Sequence, residues 1–478
     1  MRAFAAVFLV LATPVGAQVP LAHRLEATLR AQGPGTRFGL VVADMDGREI
    51  VAIAPDDRFV PASNTKLFTT AAAFVNLGDV TAEDRSAGTA VRIEPRGPEA
   101  PDVVLEGRGD TRLSSAADCM RDCLATLADA VAARTRVVHD VVGDDSLFPD
   151  ERWSPGMSWN NMPTRSGTGI SALTLDDNEI VLRVQPAAAG KAAVIVAPAY
   201  YRIDHRVTTG ARTDLRYDRM PGSDLLRIDG TIAVGAPPEV LRVGIDDPAH
   251  YAAWTFRAML AARGVRVTGA TEVRHRPLSP ADDPAMRGSA PPARPPHAAP
   301  LAELAAPPLL DGLNLTNTLS QNVYAELLLR RVGLVAGSGS IADGQAAVRR
   351  MLDGAGVERW RYDFADGSGM SSYNRVSPRG VVRFLLWTQG QPWGAAYRGT
   401  LPVGGVSGTL RRRFTGTPLA GKVFAKTGSL NAAAALAGFL TAASGKTLVF
   451  ATYAADMPED GPASVGVDAA LNIIAAEN

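Results

Sequence analysis

Two short apolar runs near the start of the chain, Phe38 to Val42 and Glu49 to Ala52, flank Asp46-Gly47 and predict a β-hairpin. Beyond Pro61, the alanine-rich stretch Leu67 to Leu77 has a helical pattern that Gly78 can end. From about 80 to 275 the pattern changes to short strand-like pieces, such as Val103-Val104-Leu105 and Ile180 to Val184, separated by many turn residues. One helix interrupts them, His250 to Arg263, apolar at Ala253, Phe256, Ala258 and Leu260 and closed by Gly264. Residues 277 to 308 are crowded with proline and alanine and read as a connecting segment. A helical pattern returns at Val323 to Val332. The C-terminal part then reads as strands at 422–430, 435–442 and 447–455, with Ser444-Gly445 as a turn, before a last helix from Ser464 to Ala476. Strands at both ends of the chain predict an α/β (α+β) protein in which one domain, 18–80 and 305–478, is divided by a long β-rich insertion. That insertion, 81–304 with its proline-rich return segment 277–304, forms one or two further domains.

The first residues carry a different signal. Met1-Arg2 is basic, Ala3 to Ala12 is apolar, and Val15-Gly16-Ala17 offers the small residues of a cleavage site, so residues 1–17 read as an export signal. The run is too short to span a bilayer, and no later stretch of the required length exists, so an exported, periplasmic protein without a transmembrane segment is expected. Composition narrows the chemistry. Lys+Arg and Asp+Glu both number 49, which gives no global attraction to nucleic acid or to an anionic surface. Two cysteines and six scattered histidines supply no metal-ligand pattern, so no metal or other cofactor is expected. Cys119 and Cys123 are four apart in a stretch that reads as helical, and either a local disulfide or two buried thiols fits them.

Lysine occurs only at 66, 191, 422, 426 and 446, so the other 44 basic residues are arginine. Where positive charge alone suffices this chain uses arginine, and a lysine inside a motif points to a task arginine cannot do, above all giving up its proton. Ser63-Asn64-Thr65-Lys66 opens the first helix, and a spacing of three brings hydroxyl and amine to one face. The helix N-terminus favours a developing oxyanion beside Ser63. The plainer reading makes Ser63 a helix cap and Lys66 a surface charge. Ser320-Gln321-Asn322 stands before the helix at 323, where Ser320 can relay a proton and Asn322 hold an amide, or both can cap. Lys426-Thr427-Gly428-Ser429 lies on a strand that an approaching substrate backbone can pair with, the lysine and two hydroxyls suiting a carboxylate, or it is an ordinary polar strand end. No histidine lies between residues 24 and 138 or after 297, so a serine nucleophile in these segments has to use lysine as its base.

In that order the three motifs resemble the signature of penicillin-binding proteins and serine β-lactamases. Ser63 and Ser320 stand 257 residues apart, and that long first gap is similar to the D-alanyl-D-alanine carboxypeptidase/endopeptidase family of three-domain, low-molecular-mass penicillin-binding proteins, the DacB-like group. Further segments resemble it: Leu105 to Asp110, Asp144 to Phe148, Ser171 to Leu173, Asn322 to Leu327, Asp366 to Ser371, Leu401 to Gly405 and Gly408 to Leu410. Gln321 and Ser429 depart from the residues expected there without removing a reactive group. The resemblance implies a catalytic domain with an antiparallel sheet flanked by helices. It also implies a serine-type carboxypeptidase or endopeptidase that acts on peptidoglycan stem peptides and is acylated by β-lactams. Carried onto this chain, Ser63 is the nucleophile, Lys66 its base, Ser320 the proton relay and Asn322 the residue that orients Lys66. Lys426, Thr427 and Ser429 receive the terminal carboxylate, while the N–H groups of Ser63 and Ser429 form an oxyanion hole. The charges of Lys66 and Lys426 lower each other's pKa. Asp144 of the insertion reaches towards the diamino acid of the stem, and Asp366 to Gly369 is a structural loop. A β-lactamase- or esterase-like hydrolase, and a non-catalytic peptidoglycan-binding protein, remain as alternatives. Nothing in the sequence sets the oligomeric state.

Overall fold

The expected hairpin forms as strands Arg37–Asp44 and Glu49–Ile53, paired antiparallel, with Gly47 in the left-handed conformation the turn requires. The first of these strands also pairs antiparallel with Thr447–Ala455 from the other end of the chain. Val423–Leu430 and Ala433–Thr441 complete a five-stranded antiparallel sheet whose order runs 423–430, 433–441, 447–455, 37–44, 49–53. The computed structural model describes residues 20–31, 35–290, 292, 298–458 and 463–478, so the expected export segment 1–17 and part of the proline-rich segment lie outside the described residues.

The sheet is buried on both faces, and the period of two along its strands sorts its side chains. Val41, Ala43, Phe439, Val449 and Ala451 point into one core, together with Leu67, Phe68 and Ala72 of helix Thr65–Asn76 and with helices Asn322–Ala336, Ile341–Gly354 and Pro378–Gln389. Phe38, Leu40, Val42, Leu448 and Phe450 point the other way, against helices Leu21–Arg30 and Ala463–Glu477. Strand Val423–Leu430 is the outer strand of this sheet and lies beside the 3-10 turn Ala62–Asn64 that leads into helix Thr65–Asn76.

Residues between 91 and 265 close a separate hydrophobic cluster. Its main sheet has the order Thr271–Arg276, Val141–Pro149, Asp102–Glu106, Ala90–Glu94, Ala302–Glu303, with helix Pro248–Ala262 packed on it. The smaller sheets hold the remaining short strands, among them Glu179–Gln185. Cys119 and Cys123 are disulfide-bonded, but in a turn: the helix begins only at Leu124, after Asp122 has taken a left-handed conformation. Helix Leu309–Thr318 starts directly after Pro307-Pro308, where proline content alone suggests continued linker.

The segment from Glu151 to Thr168 lies against the helical layer. Arg330 donates to the carbonyl of Glu151, the Ile341 N–H donates to its carboxylate, Ser371 Oγ donates to the Pro155 carbonyl, and Arg331 pairs with Asp84.

Candidate active site

Neither Ser63 nor Ser320 caps a helix. No side-chain cap bond is made at the starts of Thr65–Asn76 or Asn322–Ala336. Each hydroxyl instead accepts a hydrogen bond from a fully buried lysine: Lys66 Nζ lies 3.0 Å from Ser63 Oγ, and Lys426 Nζ lies 2.9 Å from Ser320 Oγ. Lys66 also donates to Asn322 Oδ1 and to the Ser368 carbonyl, both at 2.6 Å. With three acceptors around one ammonium, its position is fixed. Lys426 donates in addition to the Thr427 carbonyl at 3.0 Å.

The backbone is shaped to allow these contacts. Ser320 sits at φ +62°, a left-handed conformation unusual for a residue with a Cβ, in the sharp turn between helices Leu309–Thr318 and Asn322–Ala336. That turn aims its hydroxyl at Lys426 and lets Asn322, the first helical residue, face Lys66. Gln321 between them lines a separate cleft with Leu319 and Tyr324. Two glycines close on the nucleophile. A Cβ on Gly428 would come within 2.5 Å of the Pro61 carbonyl oxygen, and one on Gly369, at φ +91°, within 1.9 Å of the Ala62 carbonyl oxygen. Only glycine permits the motif strand and the 366–371 loop to pack this tightly around Ser63. Asn64 completes the clamp by donating to the Lys426 carbonyl at 2.8 Å.

Electrostatics follow from burial. Lys66 is pushed down to about 7, first by loss of water, while the buried carboxylates of Asp366 and Glu326 pull it back up. The expected mutual lowering by charge operates at Lys426 but is not among the causes at Lys66, where burial dominates. Lys426 is held well below its usual value, by burial first and by Lys66 second. Burial and Glu326 raise Asp366 to about 6. Asp366 is buried beneath the loop, accepting from the N–H groups of Gly369 and Ser371 and from Asn374 Nδ2, while Glu326 accepts from the N–H groups of Gly367 and Ser368. The two carboxylates thus hold the loop that turns the Ser368 carbonyl onto Lys66, a part that sequence reasoning did not assign. Glu326 stands four residues after Asn322 and four before Arg330, with which it pairs, and that spacing on a mostly apolar helix is the signal that could have found it.

Ser63, Ser320, Thr427, Gly428 and Ser429 line one open cavity of about 550 Å³, which continues towards Arg413 and Met457. Thr427 Oγ1 donates to Thr409 Oγ1 at 2.8 Å, so the segment 408–410 supports this wall. On the opposite side, Asn322 Nδ2 donates to the Ser166 carbonyl at 2.8 Å, which brings the insertion to the site. The structure therefore gathers Ser63, Lys66, Ser320, Asn322, Lys426, Thr427, Gly428 and Ser429. It does not bring Asp144 there. Asp144 is buried in a sheet strand of the insertion, with Arg92 and Arg274 on one oxygen and Ser146 on the other. Its carboxylate is consumed in that ion cluster and does not face the cavity.

The arrangement suits transfer of an acyl group to a serine. A neutral amine within 3.0 Å of a hydroxyl can take its proton, and a second hydroxyl bonded to a second lysine can pass one on. Because Lys66 accepts a proton only when neutral, the second-order rate of acylation by benzylpenicillin should fall about tenfold per pH unit below about 7 and level off above it. A stopped-flow pH series checks this, and a rate independent of pH between 5 and 8 would rule out Lys66 as the titrating group.

The sequence pattern of the D-Ala-D-Ala carboxypeptidase 3 (S13) family matches residues 21–477. The D-alanyl-D-alanine carboxypeptidase of Actinomadura sp. (strain R39) is 32% identical over 466 residues, covering 93% of this chain and 82% of that protein. The D-alanyl-D-alanine carboxypeptidase DacB of Haemophilus influenzae is 24% identical, with 88% and 85% covered. Among solved structures, penicillin binding protein 4 (dacB) from Haemophilus influenzae superposes with a TM-score of 0.78 at 22% identity, covering 94% of this chain and 98% of that one.

Proposed function

The chain belongs to the D-Ala-D-Ala carboxypeptidase 3 (S13) family and is a serine-type D-alanyl-D-alanine carboxypeptidase, and we propose that Ser63 is its nucleophile and Lys66 its base. The observation that carries this is the 3.0 Å contact between Ser63 Oγ and a fully buried lysine amine whose pKa burial lowers to about 7. Neutral Lys66 takes the Ser63 proton as Oγ attacks the carbonyl of the penultimate D-alanine. The N–H groups of Ser63 and Ser429, on the cavity wall, receive the oxyanion. Ser320, bonded to Lys426, passes a proton to the departing amine and is resupplied with the one Lys66 took from Ser63, so the C–N bond breaks and D-alanine leaves with Lys66 neutral again. Water then attacks the acyl-enzyme, Lys66 taking its proton, and Ser63 is restored.

Lys426, Thr427 and Ser429 hold the terminal carboxylate. Burial and the charge of Lys66 lower the pKa of Lys426, and an incoming carboxylate raises it again, so binding and protonation are coupled. In a β-lactam the broken amide stays tethered, so no leaving group departs and the serine ester persists. The cavity running on to Arg413 and Met457 has room beyond a single alanine, which supports cleavage of cross-linked peptides as well. Residues 18–80 and 305–478 form the catalytic domain, with 81–304 inserted. The apolar run at 1–17 supports export to the periplasm, and among the described residues no helix is long and apolar enough to cross a membrane.

The test is intact mass of the protein mixed with benzylpenicillin and followed over time, beside D-alanine release from a pentapeptide ending in D-Ala-D-Ala. A long-lived single adduct mapping to Ser63, with D-alanine released, is expected. An adduct that vanishes within seconds would identify a β-lactamase, and none on folded protein would overturn the mechanism.

A further inference from the structure

The insertion carries a second cavity, of about 450 Å³, that the reaction above does not use. One wall is aromatic. Tyr200 stands edge-on to Tyr201 at 5.0 Å and to Trp254 at 5.5 Å between ring centres, and all three rings are half-buried, so part of each meets the cavity. The other wall holds carboxylates in fixed positions. Asp246 is gripped by both terminal nitrogens of the fully buried Arg219 and by the Gly222 N–H. Asp247 accepts from the His250 N–H and from His275. The Tyr200 hydroxyl meets His250 Nδ1 at 3.0 Å. Such preset acceptors beside ring faces make a binding surface rather than an accidental gap.

Charge decides the ligand class. Every carboxylate facing the cavity already has a protein cation: Arg219 for Asp246, Arg152 and His275 for Asp247, and Arg202 for Asp224. The contacts with Asp145 and Asp247 push His275 up to about 10, so it is a cation at neutral pH. A cationic ligand would have to compete with these partners, whereas a neutral polyol can use the spare lone pairs of carboxylates already held in place. Flat apolar ring faces against the C–H side of a sugar, and hydroxyls against acceptors, are the complement this surface offers.

Arg152 connects the two places. It lines this cavity and also the small recess beside Asn322 and Ser368, two residues that hold Lys66, so the cavity adjoins that recess through one side chain. We propose that the cavity formed by Tyr200, Tyr201, Trp254, Asp246 and Asp247 is a saccharide subsite that holds an uncharged sugar unit of the glycan strand to which the stem peptide is attached. This rests on peptidoglycan being the substrate, as read above.

The test uses the whole protein and its Trp254→Ala and Asp224→Ala variants, the second lying on the exposed rim and not in any core. The β-1,4-linked N-acetylglucosamine tetramer is titrated by calorimetry. D-alanine release is measured from a soluble pentapeptide and from polymeric peptidoglycan, and acylation by benzylpenicillin serves as control. Expected are tetramer binding by the wild type, at least tenfold weaker binding by Trp254→Ala, and weaker binding by Asp224→Ala. Acylation and pentapeptide hydrolysis stay within twofold, while release from the polymer falls several-fold in Trp254→Ala. Failure of the wild type to bind the tetramer, unchanged affinity in both variants, or binding of a diamine such as cadaverine in its place would each overturn the proposal. Loss of the carboxypeptidase reading would look different: a wild type without acylation or pentapeptide hydrolysis. Should Trp254→Ala not fold, Asp224→Ala decides alone.

Discussion

Ser63→Ala protein is expected to fold as the wild type does and yet form no adduct with benzylpenicillin and release no D-alanine. The structural cost is small because Ser63 Oγ caps no helix: among the described residues its bond is with Lys66, whose amine keeps Asn322 Oδ1 and the Ser368 carbonyl as partners. A change in stability within about 1 kcal/mol is therefore expected, the range of one modest hydrogen bond. The catalytic cost is of another order, because removing a nucleophile removes the acyl-enzyme path altogether, a loss of about 10⁴-fold or more in kcat. Ser320 cannot take over. Its hydroxyl belongs to Lys426, and its left-handed backbone fixes it in that place. Thermal melting, mass of the β-lactam mixture and D-alanine release make the comparison. Peptide mapping that finds an adduct on another serine, or unchanged D-alanine release, would remove Ser63 from the mechanism.

The parts of this site that could be read from the sequence are those whose chemistry is local. Ser63 and Lys66 are one helical turn apart, Ser320 and Asn322 share one turn, and Lys426 to Ser429 share one strand, so spacing alone brings each group together. Lysine scarcity adds to this, because two of the only five lysines fall inside motifs. What joins the motifs is not local. Lys66 reaches the Ser368 carbonyl across 302 residues of chain, and Asn322 reaches the Ser166 carbonyl across 156, and no periodicity encodes either contact. Asp366 shows the same limit. As a residue in a glycine- and serine-rich loop it reads as a turn former, whereas in the fold its carboxylate is buried within reach of Lys66 and opposes the fall of that lysine's pKa.

The fold divides along the same line. The sheet strands at both ends were visible in their apolar runs: 447–455 matches its expected bounds, and the others differ by one or two residues at an end. Helices Leu124–Arg134, Leu309–Thr318 and Pro378–Gln389 were not. Proline and glycine inside or before two of them mimic loop composition, and only packing in the finished core selects the helix. Asp144 misled for a related reason. On paper it is one of several polar residues in a strand. In the sheet it lies opposite Glu106 on the parallel neighbour, Arg92 bridges the two carboxylates, and Arg108 on Glu106 and Arg274 on Asp144 complete the ion cluster. A buried ion cluster and a substrate-binding acid have the same sequence signature until their partners are known.

Lys66→Arg is the substitution that separates charge from proton transfer. The guanidinium keeps a positive charge among Asn322, Ser368, Asp366 and Glu326 but does not give up its proton at any accessible pH. If Lys66 worked only as an electrostatic anchor, arginine would retain much of the rate. As a base that burial tunes to about 7 it has no substitute, and acylation by benzylpenicillin should fall by about 10³-fold, within the range general-base removal costs. The residual rate should also lose the tenfold-per-unit rise through about pH 7, because the amine that titrates there in contact with Ser63 is gone. Lys66→Met gives the complementary result. It removes the base and also leaves the Asn322 and Ser368 oxygens without their donor, at about 1–3 kcal/mol each, against which the relief of a buried amine partly compensates. Both variants should therefore lose acylation alike while differing in thermal stability. Equal acylation by Lys66→Arg and wild type, with the pH profile intact, would move the base role away from Lys66 and leave it a positioning residue only.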